Sequence, residues 1–342
     1  MICVFDIETI PDFHLLSRVY GYEGLPLEIA KEAFKAQYEK SGSEFLSPCF
    51  HRVISISSVI CDEYGRFKKV GHFGGGFLDE VSAYVGANGV DSKNCESTRD
   101  SKQRQNFIDD NGKIDFESET FLDSLEKQLI SEFWQFFNKS NPRLVSFNGR
   151  GFDIPTLLLR AMRYDINAFA YYEQDNHALN KNKWQNYRQR YSEEFHTDLL
   201  DSLGSFGAVR TLSLNNLCAM LGLVGKYDMN GSQVFETYLC SDEVFKEEIE
   251  QEHSSADSNV IRESKIKALM RINHYCHSDV LNTYWLYLKY ELLKGSITEA
   301  DYYDMLQVFY ENLPQDKPYW AIFAETLQGH IRAYTSRNLS KG

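Results

Sequence analysis

ICVFDIET, residues 2–9, decides how the rest of the chain is read. Its first six residues are apolar or β-branched apart from Asp6, so 2–7 is expected to be a buried strand. Side chains alternate along a strand, which puts Asp6 and Glu8 on one face. Two carboxylates side by side on a buried face repel each other and are costly to desolvate. A divalent cation relieves both costs. A D-x-E pair is also common at an ordinary solvated strand end, so the pair needs partners from elsewhere in the chain.

Working outward, RVISISSVI (52–60) alternates apolar and small polar residues, the period of a second strand. Residues 67–73 are expected to pair with it across a turn at Glu63–Gly65. A Gly/Asn/Ser/Asp-rich stretch over about 86–116 reads as a surface insertion. Phe121, Leu125, Leu129, Phe133, Phe136 and Phe137 recur at helical spacing and predict a helix over 117–138. RLVSF (143–147) is a further buried strand that runs into the turn NGRGFD. Pro155 suits the first turn of a helix over 155–163. A second polar, aromatic-rich surface insertion covers about 164–193. A short helix over Leu212–Leu221 has Ser213 as its cap and Gly222 as its stop. Residues 241–262 are highly charged, helical or loose. The apolar stripe of 264–294 predicts one or two helices, and 297–342 reads as helical and peripheral. There is no internal repeat or long linker. Strands first and helices later give one α/β domain over about 1–300, with a C-terminal helical extension (301–342) packed on it.

The 342 residues are 43% hydrophobic and 14% aromatic, enough for a sizeable core. The net charge of −13 argues against nucleic-acid binding through a broad basic surface, though bound cations can supply positive charge locally. Seven cysteines without any CxxC pair disfavour a zinc site or a disulfide framework and point to a reducing compartment. The first segment is too short and acidic for a secretory signal, and no apolar run approaches the ~20 residues that span a membrane. A cytoplasmic location is the expectation.

Two more acidic positions draw notice. Asp153 closes SFNGRGFD, where Gly149 and Gly151 permit a tight turn and Asn148 is placed to bond that turn or a phosphate. An Asp capping the following helix is an equally simple reading. Asp279 lies in NHYCHSDVLNTYWLYL, with Tyr275 one helical turn before it on the same face. Such a pair can hold a water, or can be an ordinary packed Tyr beside an exposed Asp.

FDIET, FNGRGFD and YCHSDVLNTYWLY, in that order, resemble the three exonuclease motifs of the DEDD superfamily, which has the ribonuclease H-like fold. Tyr-x-x-x-Asp at 275–279 is similar to the tyrosine subclass, which includes the proofreading domains of family-B DNA polymerases. The wider wording resembles stand-alone predicted 3′–5′ exonucleases related to that domain. Supporting stretches are HRVISIS (51–57), HTDLLD (196–201) and GKYDMNGSQV (225–234). The resemblance covers about residues 1–300 and implies a mixed five- or six-stranded sheet flanked by helices. It implies Asp6, Glu8, Asp153 and Asp279 as ligands of two ions, Mg²⁺ or Mn²⁺, and Tyr275 as the water-orienting residue. One ion would be held by Asp6, Glu8 and Asp279 and bind the attacking water. The other, held by Asp6 with help from Asp153, would stabilise the leaving 3′ oxygen. Ions ~3.5–4 Å apart suit in-line phosphoryl displacement.

The implied substrate is a single-stranded 3′ end, DNA favoured over RNA, cut to nucleoside 5′-monophosphates. Thr9 and Ile10, just past the strand, would touch the terminal sugar and base. Asn148 and Phe152 would touch the next nucleotide, and GKYDMNG (225–231) is either an ordinary loop or one that lines the groove through Lys226. His274, five residues before Asp279, matches the histidine subclass and is an alternative general base. GHFGGGF (71–77) lacks the order of a P-loop and reads as a turn. Asp198 in FHTDLLD reads as part of a structural strand or as a support for the site. The insertion at 164–193, with Tyr171, Tyr172, Trp184, Lys181, Lys183, Arg188 and Arg190, is either a strand-binding lip or a solvated face. Too few residues follow the third motif for a polymerase domain, so proofreading in cis is not expected, and DNA repair or RNA turnover stays open. The competing classes are a catalytically silent nucleic-acid-binding or partner module of the same fold, a 3′–5′ exoribonuclease, and a phosphatase acting on small phosphomonoesters.

Overall fold

The computed structural model describes residues 1–88, 114–209, 211–240 and 258–339. Most of the first expected insertion and most of the charged stretch 241–262 therefore lie outside the described residues. Five strands form one mixed sheet in the order β3-β2-β1-β4-β5. They are β1 (Ile2–Pro11), β2 (His51–Cys61), β3 (Phe67–His72), β4 (Arg143–Ser146) and β5 (His196–Asp198). β1, β2 and β3 are antiparallel neighbours, joined at β2–β3 by a turn in which Gly65 takes φ 90°. β4 and β5 run parallel to β1. This is the α/β, ribonuclease H-like arrangement.

Helices cover both faces of the sheet. Cys3, Phe5 and Ile7 of β1 join one core with Phe121, Leu125, Leu129, Phe133 and Phe137 of α4 (Glu119–Ser140). Ile2 and Val4, on the opposite face, join a second core with Val280, Tyr284, Trp285 and Leu288. Those four belong to one continuous 37-residue helix, Ser258–Lys294, where one or two were expected. Its earlier residues Leu269, Ile272 and Tyr275 pack into the first core instead. The long helix thus passes from one core to the other beside β1.

Several boundaries differ from the expectations. β1 continues four residues past Ile7, because Thr9–Pro11 pair with β2 beyond a bulge at Glu8/Thr9. Thr9 and Ile10 are therefore in the strand, not after it. The GGG stretch is not simply a turn: Gly74 takes φ 75°, and Gly75 begins α3 (Gly75–Asn88). Ile114 and Phe116, assigned to the first insertion, are buried core residues. The second insertion is no mere surface feature either. Its Tyr187 and Lys181 are fully buried, with the Tyr187 hydroxyl donating to Pro142 O (2.8 Å) and Lys181 Nζ to Ala170 O (2.8 Å). The C-terminal helices Glu299–Glu311 and Trp320–Leu339 are not peripheral: Tyr302, Leu306, Phe309, Phe323 and Leu327 are buried in the second core. Helix Leu214–Leu221 has the expected ends, Ser213 Oγ accepting from Asn216 N (3.2 Å) and Gly222 in the left-handed region. No helix among the described residues is long and apolar enough to cross a membrane.

Candidate active site

β1 positions the first two carboxylates. Ile2 and Val4 anchor one face of the strand, and Asp6 and Glu8 continue that face toward its C-terminal end. Across the strand pair they stand opposite Ser57 and Ser55. Ser55 Oγ donates to Asn273 Oδ1 at 2.6 Å, which pins the long helix to β2 beside Glu8. Tyr275 and Asp279 follow on that helix. Cys276 is pressed against β1, its Sγ donating to Asp6 O at 3.5 Å.

β4 delivers the third element. The chain leaves Ser146 through Asn148, which takes φ 67°, into the turn at Gly149–Gly151. Glycine is required at 149, because a Cβ there would strike the buried Ser146 side chain, Cβ included. Asp198, at the end of β5, clamps the turn. Its carboxylate accepts from Asn148 N (2.9 Å), Arg150 N (2.8 Å) and Leu200 N (3.1 Å). α5 (Asp153–Arg163) then starts two residues earlier than expected, with Asp153 as its first residue. Asp153 is 4% exposed.

The four carboxylates converge. Burial first, then the charges of Asp153, Glu8 and Asp279, push the Asp6 pKa well above the usual range. Burial and the charges of Asp279 and Asp153 do the same to Glu8. Burial lifts Asp153 to about 7 and Asp279 to about 6. The Asp6 and Asp153 carboxyls lie against each other. The Tyr275 hydroxyl lies beside Asp279. Burial and the Asp279, Glu8 and Asp6 charges raise its own pKa, so it remains a donor and does not act as a base. Among the described residues, the positive charge of Lys226 counteracts the burial of Asp279. Its loop is fixed by Asn282, which bonds both Gly225 N (2.9 Å) and Gly225 O (2.7 Å).

Hard divalent ions fit this donor set. Asp153 Oδ1 is buried with no hydrogen-bond partner, a costly state that a cation relieves. The ligand atoms of Asp6, Glu8 and Cys276 lie within 4.8 Å of one another. Cys276 was missed in the sequence, although its place next to Tyr275 on a helix crossing β1 was the available signal.

The remaining predicted residues divide. Phe152 meets the rings of His51 (4.9 Å) and Phe45 (5.0 Å), and Thr9 Oγ1 bonds His51 Nδ1 at 2.9 Å. Thr9 and Phe152 thus share one aromatic wall with Phe45 and His51, two residues the sequence reading passed over. Burial lowers His51 to about 4, so it is neutral there. Ile10 is a correction: it is fully buried in the first core and offers no surface to a base. His274 is another. It lies near the rings of His277 (6.1 Å) and Tyr319 (6.3 Å), and the charges that act on it are Lys317, His72, Asp316 and Asp228. One residue along a helix turns ~100°, so Tyr275 faces the carboxylates while His274 faces the C-terminal segment.

Residues 105–251 and 255–327, more than half of the chain, match a family described as predicted 3′–5′ exonucleases related to the exonuclease domain of PolB. The chain belongs to this family. Its membership supports a 3′–5′ exonuclease, a hydrolase with a nucleic-acid substrate. Asp153, Tyr275 and Asp279 fall within the matched residues, while Asp6 and Glu8 precede them. No curated protein matches the chain.

Proposed function

We propose that the chain is a two-metal-ion 3′–5′ exonuclease that removes nucleoside 5′-monophosphates from single-stranded 3′ ends, DNA in preference to RNA. The observation that carries this reading is the convergence of four uncompensated carboxylates from three segments, with Asp153 Oδ1 left without a partner. Asp6, Glu8, Asp153 and Asp279 would hold Mg²⁺ or Mn²⁺. When bound, the ions supply charge neutralisation for an in-line displacement at phosphorus. Tyr275, protonated and beside Asp279, orients the attacking water through its hydroxyl. Lys226 offers a positive charge to the phosphate beside Asp279. Thr9, Phe152 and the neutral His51 form a wall against which an unpaired terminal nucleotide stacks. Asn148, in the left-handed turn, is placed for the next nucleotide. Likeness to the polymerase-linked domain favours DNA and work on free 3′ ends in repair, in the cytoplasm.

The test is a gel of 5′-labelled DNA and RNA single strands incubated with Mg²⁺, Mn²⁺ or chelator. Stepwise shortening from the 3′ end, DNA faster, lost with chelator and in Asp6→Asn, is expected. Intact strands alongside hydrolysis of a small phosphomonoester would replace the exonuclease by a phosphatase.

A further inference from the structure

The carboxyl ends of β1, β4 and β5 point the same way, so Asp6 and Glu8, the Asn148 turn and Asp198 lie along one edge of the sheet. Beyond Asn148 that edge opens into a groove of about 580 Å³, walled by Pro155 and Leu158 of α5, by Tyr171 and Arg188, and by Phe206. Asn148 and Gly151 line the groove, so it begins where the catalytic turn ends. We propose that this groove binds the sugar-phosphate backbone and unpaired bases of the strand upstream of the scissile bond. This deepens the exonuclease reading and rests on it for the strand's direction.

Charge is the first support. The chain carries net −13, yet Arg188 and Arg190 of KNKWQNYRQRY (181–191), a stretch without an acid, line the groove. The two acids on the groove are already engaged: Asp201 pairs with Arg190 (2.6 Å), and Asp198 accepts backbone N–H groups. The Arg150 guanidinium donates to the carbonyls of Tyr187 (2.9 Å), Gln189 (3.2 Å) and His196 (2.8 Å). Among the described residues no carboxylate forms a salt bridge with Arg188, which lines the groove and is exposed, whereas Arg150 is held by those carbonyls near Asp198 and Asp201.

Aromatic surface is the second. Tyr171 and Phe206 line the groove, and Arg188 on the same wall lies over the Tyr172 ring (5.4 Å), which is 52% exposed. The Phe206 ring is tilted against that of Tyr191 (4.9 Å) from a backbone at φ 54°, a conformation bulky residues avoid. Cationic grooves interleaved with exposed rings suit single strands, whose bases are free to stack. A duplex lacks free base faces, and an acidic peptide has no use for the rings.

The experiment uses the whole chain in Ca²⁺ or chelator, so that hydrolysis does not interfere. Anisotropy of a labelled 12-mer single strand is followed over a salt series for wild type and Arg188→Ala, an exposed position. Arg188→Ala is expected to weaken 12-mer binding by about tenfold at low salt and to reduce the salt slope by about 1, as the loss of one phosphate contact does. Binding of a dinucleotide, which ends at Asn148 on the near side of the groove, weakens less than that of the 12-mer. Unaltered 12-mer affinity and slope in the variant overturn the groove, as does equal competition by poly-glutamate. Groove-dependent binding without any 3′ shortening in Mg²⁺ would leave the groove standing and bring down the exonuclease reading.

Discussion

Two buried charge clusters lie within a few residues of each other on β1, and they are opposites. The first is Asp6, Glu8, Asp153 and Asp279, acidic throughout. The second begins at Asp12, just past the strand. There Arg160 bonds Asp12 (3.0 Å) and Glu126, and Arg52 bonds Asp12 (3.3 Å) and Asp123. Glu126 also accepts from Val53 N (2.7 Å) at the bulge in β2 and from the Tyr164 hydroxyl (2.6 Å). Asp12, Arg52, Glu126 and Arg160 are all at most 3% exposed. Burial opposes the Asp12 charge, but Arg52 and Arg160 outweigh it and hold its carboxyl below the usual range. The second cluster ties β1, β2, α4 and α5 together. The first leaves its charges unbalanced where β1 and the start of α5 meet the long helix. A scaffold satisfies its buried charges, whereas a cation site keeps a deficit for the cation to fill.

Breaking each cluster should have opposite consequences. Asp6→Asn should lower exonuclease turnover on a labelled single strand by on the order of 10³-fold, about 4 kcal/mol. The same change should raise the melting temperature of the metal-free protein at pH 8, since it removes a repelling charge. A lower melting temperature would mean that Asp6 is balanced after all. Arg160→Met should act the other way, costing about 3–5 kcal/mol in urea unfolding by leaving Asp12 and Glu126 buried without their partner. A loss under 1 kcal/mol would show that the network rearranges.

pH separates the clusters without mutation. Asp153 at about 7 and Asp279 at about 6 are raised, so the folded protein keeps protons that the unfolded chain releases. Their contribution is complete below about pH 4 and lost as pH rises through 6–7. Asp12 is lowered, so its contribution is present above about pH 4 and lost as pH falls through its folded value. Calorimetry of metal-free protein should therefore show greatest stability on the acid side of neutrality. Mg²⁺ should raise the melting temperature most at pH 8, and a metal-free profile flat from pH 5 to 8 would contradict this. The smallest effect is expected from Lys226→Ala. Losing its positive charge beside Asp279 should move the acid limb of the pH–rate profile upward and slow turnover about tenfold.

Legibility in the sequence followed periodicity. α4 and the capped helix at Leu214–Leu221 were readable because their apolar spacing and end residues are local signals. The helices Phe13–Tyr20 and Pro26–Ser41 were not read, and the contact of Phe45 and His51 with Phe152 has no local signal, since it joins positions about 100 residues apart. The second insertion misled because Lys181 and Tyr187 look like surface residues. Asn141 Oδ1 (2.5 Å from Lys181 Nζ) and Pro142 O are what make their burial tolerable, and both lie about 40 residues away. His274 against Tyr275 was undecidable from spacing, since either can stand near an Asp on a helix.

The amino-acid order alone put Asp6 and Glu8 on one strand face and Tyr275 one turn before Asp279, because strand alternation and helical spacing are properties of neighbouring residues, while the resemblance of the three motifs singled out the four carboxylates together. It also determined that β1 is buried and that a glycine turn precedes Asp153. Only the tertiary structure decided that the four acids meet, that His274 turns away from them, and that Cys276 and the Asp198 clamp stand beside them. Those outcomes depend on how a 37-residue helix lies across β1 and β2, and long-range packing fixes that where local pattern does not.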